Sequence, residues 1–228
     1  YSPVHQDAAV CCVPNAGRIA PYYVQNMWMK SRDTLVAALL GPCEVNTTIN
    51  GKAVLIKEVT QYPFNNTISF EITAATSFNL KIRKPDWATN ITVSTKYYQR
   101  DGFIVFSKKP AGKYTIKIDL NPVVKVQMDN NDENSVYFTY GALVLAHPIA
   151  ATETKTKEFP LPGFFDYRYT PEKLVVYEYD NQDVFKYPGK LIFDTQLYNP
   201  NTKQMEKINL QPMESTILRQ VSFKFRER

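Results

Sequence analysis

The residues of this chain best suited to chemistry are two adjacent cysteines in the run Val10-Cys11-Cys12-Val13-Pro14-Asn15-Ala16-Gly17-Arg18. A cysteine thiolate is both a nucleophile and a metal ligand. A bound metal would keep both thiols deprotonated, but a structural zinc site has four ligands, so this pair supplies only part of one. The pair is compatible with a metal site or a nucleophile. It is equally compatible with a vicinal disulfide, or with two small residues packed at the start of a helix.

Two other side chains near the pair are candidates for binding a substrate. Arg18 could face the same site and bind a carboxylate or a sugar hydroxyl, or it could form a surface ion pair. His5 precedes the cysteines, although a lone histidine in a loop is more often simply exposed to solvent. The third cysteine, Cys43, is expected to be a small, half-buried apolar residue. A helix beginning just after Cys12 would favour a thiolate there, because helix N-termini carry free N–H groups and a positive dipole end.

The elements that must position these groups are one helix and many strands. Residues 14–30 place apolar side chains near the helical period, with Pro21 as a kink or as the true first turn. From Thr34 onward the apolar period is two, and Asn50-Gly51 marks a hairpin turn. Strands recur at short intervals, which is typical of a β-sandwich or jelly roll. The sequence therefore predicts a mainly β fold, with two β-sandwich or jelly-roll units preceded by one N-terminal helix.

We divide the chain into three predicted parts. Residues 1–32 contain the cysteine pair and the helix, residues 33–128 form a β-sandwich, and residues 129–228 form a second β-sandwich-like domain. The boundary between the last two parts is placed at the polar run Asp129-Asn130-Asn131-Asp132-Glu133-Asn134, because such runs commonly separate folded regions.

The composition of the chain argues against nucleic-acid and membrane partners. Of the 228 residues 44% are hydrophobic and 13% aromatic, enough for a packed β-rich core. The net charge is +5, with Lys and Arg scattered among acidic residues, which argues against a nucleic-acid partner. No apolar run is long enough to span a membrane, so no membrane partner is expected. Residues 1–7 do not resemble a signal peptide, and a signal could lie upstream, so the bacterial cytoplasm, the periplasm and secretion all stay open.

Four segments in order along the chain resemble glycoside hydrolase family 127, the β-L-arabinofuranosidases. The run around Cys11 and Cys12 resembles the family's Cys-Cys-x-Pro-Asn-x-x-Arg element, which lies at the end of an (α/α)6 barrel. Gln61-Tyr62-Pro63-Phe64 resembles an Asp-Tyr-Pro-Trp turn, and the run from Leu80 to Ala88 resembles a Leu-Arg-Ile-Pro-x-Trp strand and turn. Tyr140-Gly141-Ala142-Leu143-Val144 resembles an Arg-Gly-Pro-Leu-Val strand. The resemblance spans roughly residues 5–150, and its order carries more weight than any one motif.

The resemblance implies a retaining hydrolase in which zinc and a cysteine do the chemistry. Cys11 would be the nucleophile and Cys12 a zinc ligand, and both cysteines would belong to the metal site. The substrate would be an arabinose-containing glycan or another furanoside. The remaining Glu and Cys ligands and the acid/base Glu lie farther upstream in the family. We therefore expect this chain to be the C-terminal portion of such an enzyme, with its helix left over from the barrel, and to be inactive alone.

Two alternatives remain from the residues themselves. The chain could be a non-catalytic β-sandwich that binds carbohydrate through the aromatic residues Trp87, Tyr97, Tyr98, Phe164 and Phe165, or that serves as a structural accessory domain. An exposed planar row of these rings would favour binding, and burial would favour the structural role. The N-terminal helix, left without a barrel, could also lead to a homo-oligomer through its apolar residues.

Overall fold

A computed structural model of the chain describes residues 12–130, 132–160 and 162–226, without the side chains of residues 12–14 and 133. The predicted fold class is confirmed: these residues form one α-helix, a short 3-10 helix and many strands. They divide into two compact units between Pro122 and Val123. We call residues 12–122 the first unit and residues 123–226 the second unit. In the part of the chain so described, no helix has the length and apolar character needed to cross a bilayer.

The helix α1 spans Cys12–Asn26, with Pro21 inside it, and so ends before the predicted limit at residue 30. The difference arises because the chain from Trp28 onward pairs with a neighbouring strand instead of continuing the helix. Met27, between the two elements, is buried, and its carbonyl accepts the Ala38 N–H at 2.8 Å. These contacts end the helix at the edge of the first unit's sheet.

Ten strands complete the first unit. They are β1 (Trp28–Ser31), β2 (Thr34–Ala37), β3 (Cys43–Ile49), β4 (Lys52–Thr60), β5 (Thr67–Ala74), β6 (Phe78–Arg83), β7 (Thr92–Val93), β8 (Tyr98–Arg100), β9 (Phe103–Lys109) and β10 (Gly112–Asp119).

These ten strands form two five-stranded sheets, in the orders β1-β2-β6-β9-β8 and β3-β4-β5-β10-β7. Strands β2 and β6 are parallel. The predicted hairpin at Asn50-Gly51 joins β3 to β4, and both residues have positive φ (49° and 74°), as a type I′ turn requires. Glycine adopts this backbone conformation without a Cβ clash, which explains its place in the turn.

The core of the first unit lies on the inward faces of these sheets. Alternate residues of β5, β6 and β10 are buried, as the period of two predicts. Phe70 and Phe106 are among the largest fully buried side chains. Trp28 contacts Phe70 edge to face, with ring centroids 6.1 Å apart, so β1 packs against the same core.

The second unit has its own strands and its own core. The strands are β11 (Val124–Asp129), β12 (Asp132–Tyr140), β13 (Leu143–Pro148), β14 (Ala151–Glu158), β15 (Phe165–Pro171), β16 (Phe185–Lys186), β17 (Phe193–Asn199), β18 (Gln204–Pro212), β19 (Arg219–Gln220) and β20 (Phe223–Lys224), with the 3-10 helix at Met213–Ser215. One sheet has the order β11-β12-β13-β18-β17-β16, with β19 beside β13 and β20 beside β12, while β14 and β15 form a separate hairpin. Phe138, Phe193 and Phe223 are fully buried in its core.

The polar run at residues 129–134, predicted as a domain boundary, lies close to the division between the two units and within the second one. Asp129 and Asp132 pair across the antiparallel β11–β12 ladder, so both belong to paired strands of the second unit. The division lies earlier, between Pro122 and Val123. A polar run has the same composition at a hairpin tip as in a linker, so composition alone does not distinguish the two, and the predicted domain limits stay predictions.

Candidate functional site

The structure does not bring the sequence-predicted site residues together. Cys11 and His5 lie outside the described residues. Cys12 is the first residue of α1, and its side chain is not among those described. Arg18, farther along α1, is exposed. The roles of Cys11, Cys12, His5 and Arg18 therefore stay predictions.

The described residues also do not form the predicted metal site. Among the described residues, no group of three or more His, Cys, Asp and Glu side chains is arranged to hold a metal ion. Cys43, the cysteine whose side chain is described, is a half-buried free thiol, as the sequence predicted. The predicted zinc site at Cys11 and Cys12 therefore stays a prediction.

The most unusual polar group in the first unit is Glu58, a residue that the sequence reasoning missed. In β4 the residues Val54, Ile56 and Glu58 alternate inward, and Glu58 is only 2% exposed. The sequence signal that could have identified it is a glutamate at the next inward position after the alternating apolar residues Val54 and Ile56. A carboxyl group in an apolar interior is costly unless it is neutral or well hydrogen-bonded.

Donors from two neighbouring segments surround this carboxyl group. The Gly41 N–H donates to Glu58 Oε1 at 3.0 Å, and the Cys43 thiol donates to Oε2 at 3.7 Å. Trp28 Nε1–H donates in turn to Cys43 Sγ at 3.1 Å. Cys43 is directly opposite Glu58 in the β3–β4 register, which brings the thiol to the carboxyl. We call Trp28, Gly41, Cys43 and Glu58 the Glu58 cluster.

Two members of the Glu58 cluster, Glu58 and Cys43, have raised pKa values. Burial raises the pKa of Glu58 to about 7, although the hydrogen bonds from Gly41, Cys43 and Trp28 act in the opposite direction. Burial also raises the pKa of the Cys43 thiol, and the Glu58 charge adds to that rise. Cys43 is therefore a poor thiolate, and it is not placed to act as a nucleophile.

The last turn of α1 contacts the cluster through a single peptide unit. Tyr23 donates its hydroxyl hydrogen to the Leu40 carbonyl oxygen at 2.6 Å. The N–H of that same peptide belongs to Gly41, which binds Glu58. Burial, followed by the charge of Glu58, raises the pKa of Tyr23. A groove of about 290 Å³ beside this contact is lined by Tyr23, Leu40, Tyr62, Arg83 and Pro85, among others.

The aromatic residues proposed for carbohydrate binding do not form one exposed row. Trp87 is partly buried against the core of the first unit. Tyr97 (37%) and Tyr98 (49%) are exposed, but they are consecutive, and successive residues of an extended chain point to opposite faces. Phe164 (41%) is exposed at the start of the β15 segment, and Phe165 is covered by the Lys155 ammonium at 3.1 Å from its ring centroid. Exposure is therefore scattered, which favours a structural role for most of these rings.

The first unit belongs to the class of two-sheet β-sandwiches. The sandwich is preceded by a helix whose first residue, Cys12, is the second member of a cysteine pair. Residues 34–122 match the family described as "Beta-L-arabinofuranosidase, GH127 middle domain". The resemblance to glycoside hydrolase family 127 drawn from the sequence is thus confirmed over this segment. No curated protein matches the sequence.

Solved structures agree with this fold over nearly the whole chain. A GH127 β-L-arabinofuranosidase from Geobacillus stearothermophilus T6 matches with a TM-score of 0.67 at 15% identity, over 99% of this chain and 39% of its own. A GH127 β-arabinofuranosidase matches with 0.65 at 14%, over 96% and 39%. A protein titled a glycoside hydrolase matches with 0.68 at 16%, over 96% and 40%. The chain therefore spans about two fifths of the length of each of these structures.

Proposed function

We propose that this chain is the C-terminal portion of a retaining β-L-arabinofuranosidase, in which Cys11 is the nucleophile and Cys12 a zinc ligand. One observation carries the proposal. A segment that matches the GH127 middle domain, residues 34–122, follows α1, and α1 begins within a Cys-Cys-x-Pro-Asn run that resembles the one at the end of the family's barrel. The chain covers 39% of the length of a solved β-L-arabinofuranosidase, which supports its being one portion of a longer enzyme.

The chemistry assigned to this chain is the nucleophilic half of a double displacement. The Cys11 thiolate attacks the anomeric carbon, a C–S bond forms, and the glycosidic C–O bond breaks with its electron pair going to the leaving oxygen. A general acid from outside this chain protonates that oxygen. Water, deprotonated by the same group, then displaces the sulfur, and the sugar leaves with its original anomeric configuration. Zinc, when bound by Cys12 with Cys11 nearby, would supply positive charge that keeps the nucleophile deprotonated.

The two units described here would support this site without completing it. No acid/base carboxyl and no further zinc ligands are assigned to this chain, so we expect it to be inactive alone. His5 and Arg18 would bind sugar hydroxyls beside the cysteines. The alternative, a carbohydrate-binding or accessory β-sandwich without catalysis, is weakened by the scattered positions of its candidate rings.

Turnover of an aryl β-L-arabinofuranoside tests this proposal. We expect no turnover by the 228-residue chain and robust turnover by a longer protein that includes an upstream barrel. In that longer protein, Cys11→Ser should abolish activity, while Cys43→Ser should retain it as the matched control. Activity that survives Cys11→Ser would refute the assigned nucleophile. Robust, Cys11-dependent turnover by the short chain would refute its inactivity.

A further inference from the structure

One edge of the second unit's large sheet is interrupted along β17. At one end of the interruption, Asp194 of β17 pairs with Phe185 of β16. At the other end, Tyr198 of β17 exchanges two main-chain hydrogen bonds with Glu178, each at 2.9 Å. Between these two points the residues from 179 to 184 leave β17, and the chain returns to it at β16. The middle of β17 is therefore open on this side.

Contacts on both sides of the gap hold the departing segment in place. The Arg226 guanidinium binds the Asp180 carboxylate at 3.0 Å, and the Arg226 N–H donates to the Tyr179 carbonyl at 2.9 Å. Nearer to β16, the Thr195 hydroxyl donates to the Asp183 carbonyl at 3.0 Å. Because the segment is bound at both ends, the gap belongs to the fold of the second unit.

Gln196, in the middle of the open stretch, directs its main-chain N–H and C=O into the gap. In an antiparallel ladder, every second residue of a strand points its main-chain groups to the same side. Tyr198 uses the open side to bind Glu178, so Gln196, two residues earlier, faces the same way. A main-chain donor and a main-chain acceptor therefore lie side by side there, and no other strand among the described residues pairs with them.

A pocket of about 450 Å³ occupies this gap, and its lining combines an aromatic ring with polar groups. Phe185 lines it and is 67% exposed. Asp183 and Gln196 line it with exposed side chains. Lys207 also lines it, but its ammonium binds the Asp194 carboxylate at 2.7 Å, so its charge is already compensated. We call this cavity the edge pocket.

We propose that the edge pocket binds one ring of a neutral saccharide. Two neighbouring hydroxyls of such a ring provide an acceptor for the Gln196 N–H and a donor for the Gln196 C=O. The Asp183 carboxylate accepts from a further hydroxyl, and the Phe185 ring covers the apolar C–H face of the sugar. None of these residues has a part in the proposed catalysis, so this binding goes beyond the proposed function and does not depend on it.

The same groups disfavour other classes of ligand. An anion would meet the Asp183 carboxylate, while the Lys207 ammonium is already paired. A peptide cannot add as a further strand, because β17 is paired on this side at both Asp194 and Tyr198, which leaves the main chain of one residue to bind it. A saccharide ring is uncharged and carries several hydroxyls in a small volume, so it meets both conditions.

A titration followed by amide NMR on the 228-residue chain tests the proposal, with methyl β-L-arabinofuranoside, D-xylose and D-galactose as probes. We expect at least one probe to shift the Gln196 amide signal until it saturates, with a Kd on the order of 1–10 mM, as suits a ligand of this size. Glycerol at equal concentration is the control polyol without a ring, and it should give no saturable shift. Equal shifts with glycerol, or no saturable shift of Gln196 with any probe, would overturn the proposal.

A pair of matched variants tests the part assigned to the aromatic ring. Phe185→Ala should weaken binding about tenfold, because it removes the apolar cover of the sugar at a position that the core does not need. Phe164→Ala, at another exposed phenylalanine of the second unit, is the control and should bind the probe as the wild type does. Unchanged affinity in Phe185→Ala, or an equal loss in Phe164→Ala, would also overturn the proposal. No turnover is measured, so the proposed function can fail or hold independently of this result.

Discussion

Tyr23 and Glu58 bind opposite sides of the same peptide unit, the first through the Leu40 carbonyl and the second through the Gly41 N–H. Tyr23 and Glu58 are 35 positions apart in the sequence. Their shared partner connects the end of a solvent-exposed helix to the interior of a sandwich.

The buried carboxyl predicts a pH dependence of stability. Its folded-state pKa of about 7 exceeds the unfolded value of 4.5, so the folded protein binds the proton more tightly. Its stabilising contribution is complete below about pH 4.5 and is lost as the pH rises through about 7, by roughly 3 kcal/mol. In Glu58→Gln this loss should disappear, so that the variant equals the wild type near pH 5 and exceeds it near pH 8. Urea unfolding at several pH values measures this, and parallel curves for the two proteins would contradict it.

The two units have separate cores, and this predicts separable effects of core mutations. Phe70→Ala should lower the stability of the first unit by about 3–5 kcal/mol, because it leaves a cavity among fully buried residues. Phe138→Ala should do the same to the second unit. Phe185→Ala, at a residue 67% exposed, is the control and should have little effect. Calorimetry distinguishes the outcomes, and loss of the same transition in both core variants would show that the cores do not unfold separately.

The exposed apolar residues of α1 predict that the isolated chain associates with itself. Ile19 (68%) and Tyr22 (60%) are three residues apart and share a helix face, which favours burial against another copy or a partner. Light scattering over a concentration series should show a mass that rises with concentration, and Ile19→Lys should shift the chain toward the monomer. A wild-type monomer throughout the series would exclude this association.

The cysteine pair predicts a defined result for metal content. If Cys11 and Cys12 hold zinc only together with ligands from an upstream barrel, the purified 228-residue chain should contain far less than one zinc per chain. Elemental analysis, on protein prepared without a metal-affinity step, measures this beside a thiol titration of the same sample. About one zinc per chain, lost in Cys12→Ser and kept in Cys43→Ser, would show instead that the pair finds its other ligands within this chain or across a contact between copies.

Much of the fold could be predicted from the sequence because it depends on local patterns. The alternation of Ile68, Phe70 and Ile72 requires one buried face, and Asn50-Gly51 fits the turn that joins two antiparallel strands. The end of α1 could not be predicted, because Trp28 leaves the helical pattern only when β2 is there to pair with it. The polar run at residues 129–134 has the composition of a linker and of a turn alike.

The candidate site was predictable only in part. The cysteine pair and its family resemblance are visible in the sequence, since they consist of consecutive residues. The Glu58 cluster is not, because its members come from β1, the residues before β3, β3 itself and β4, and only the folded register brings Cys43 opposite Glu58. The inward position of Glu58 in an alternating strand was the one signal available.

The attack of Cys11 on the sugar can be tested by trapping the carbon–sulfur bond that it forms. A longer protein with its barrel would be quenched with acid during turnover of an activated aryl β-L-arabinofuranoside, digested, and examined by mass spectrometry. We expect one pentosyl group on the sulfur of Cys11, absent in Cys11→Ser and present in Cys43→Ser. A pentosyl group on another residue during Cys11-independent turnover would contradict it.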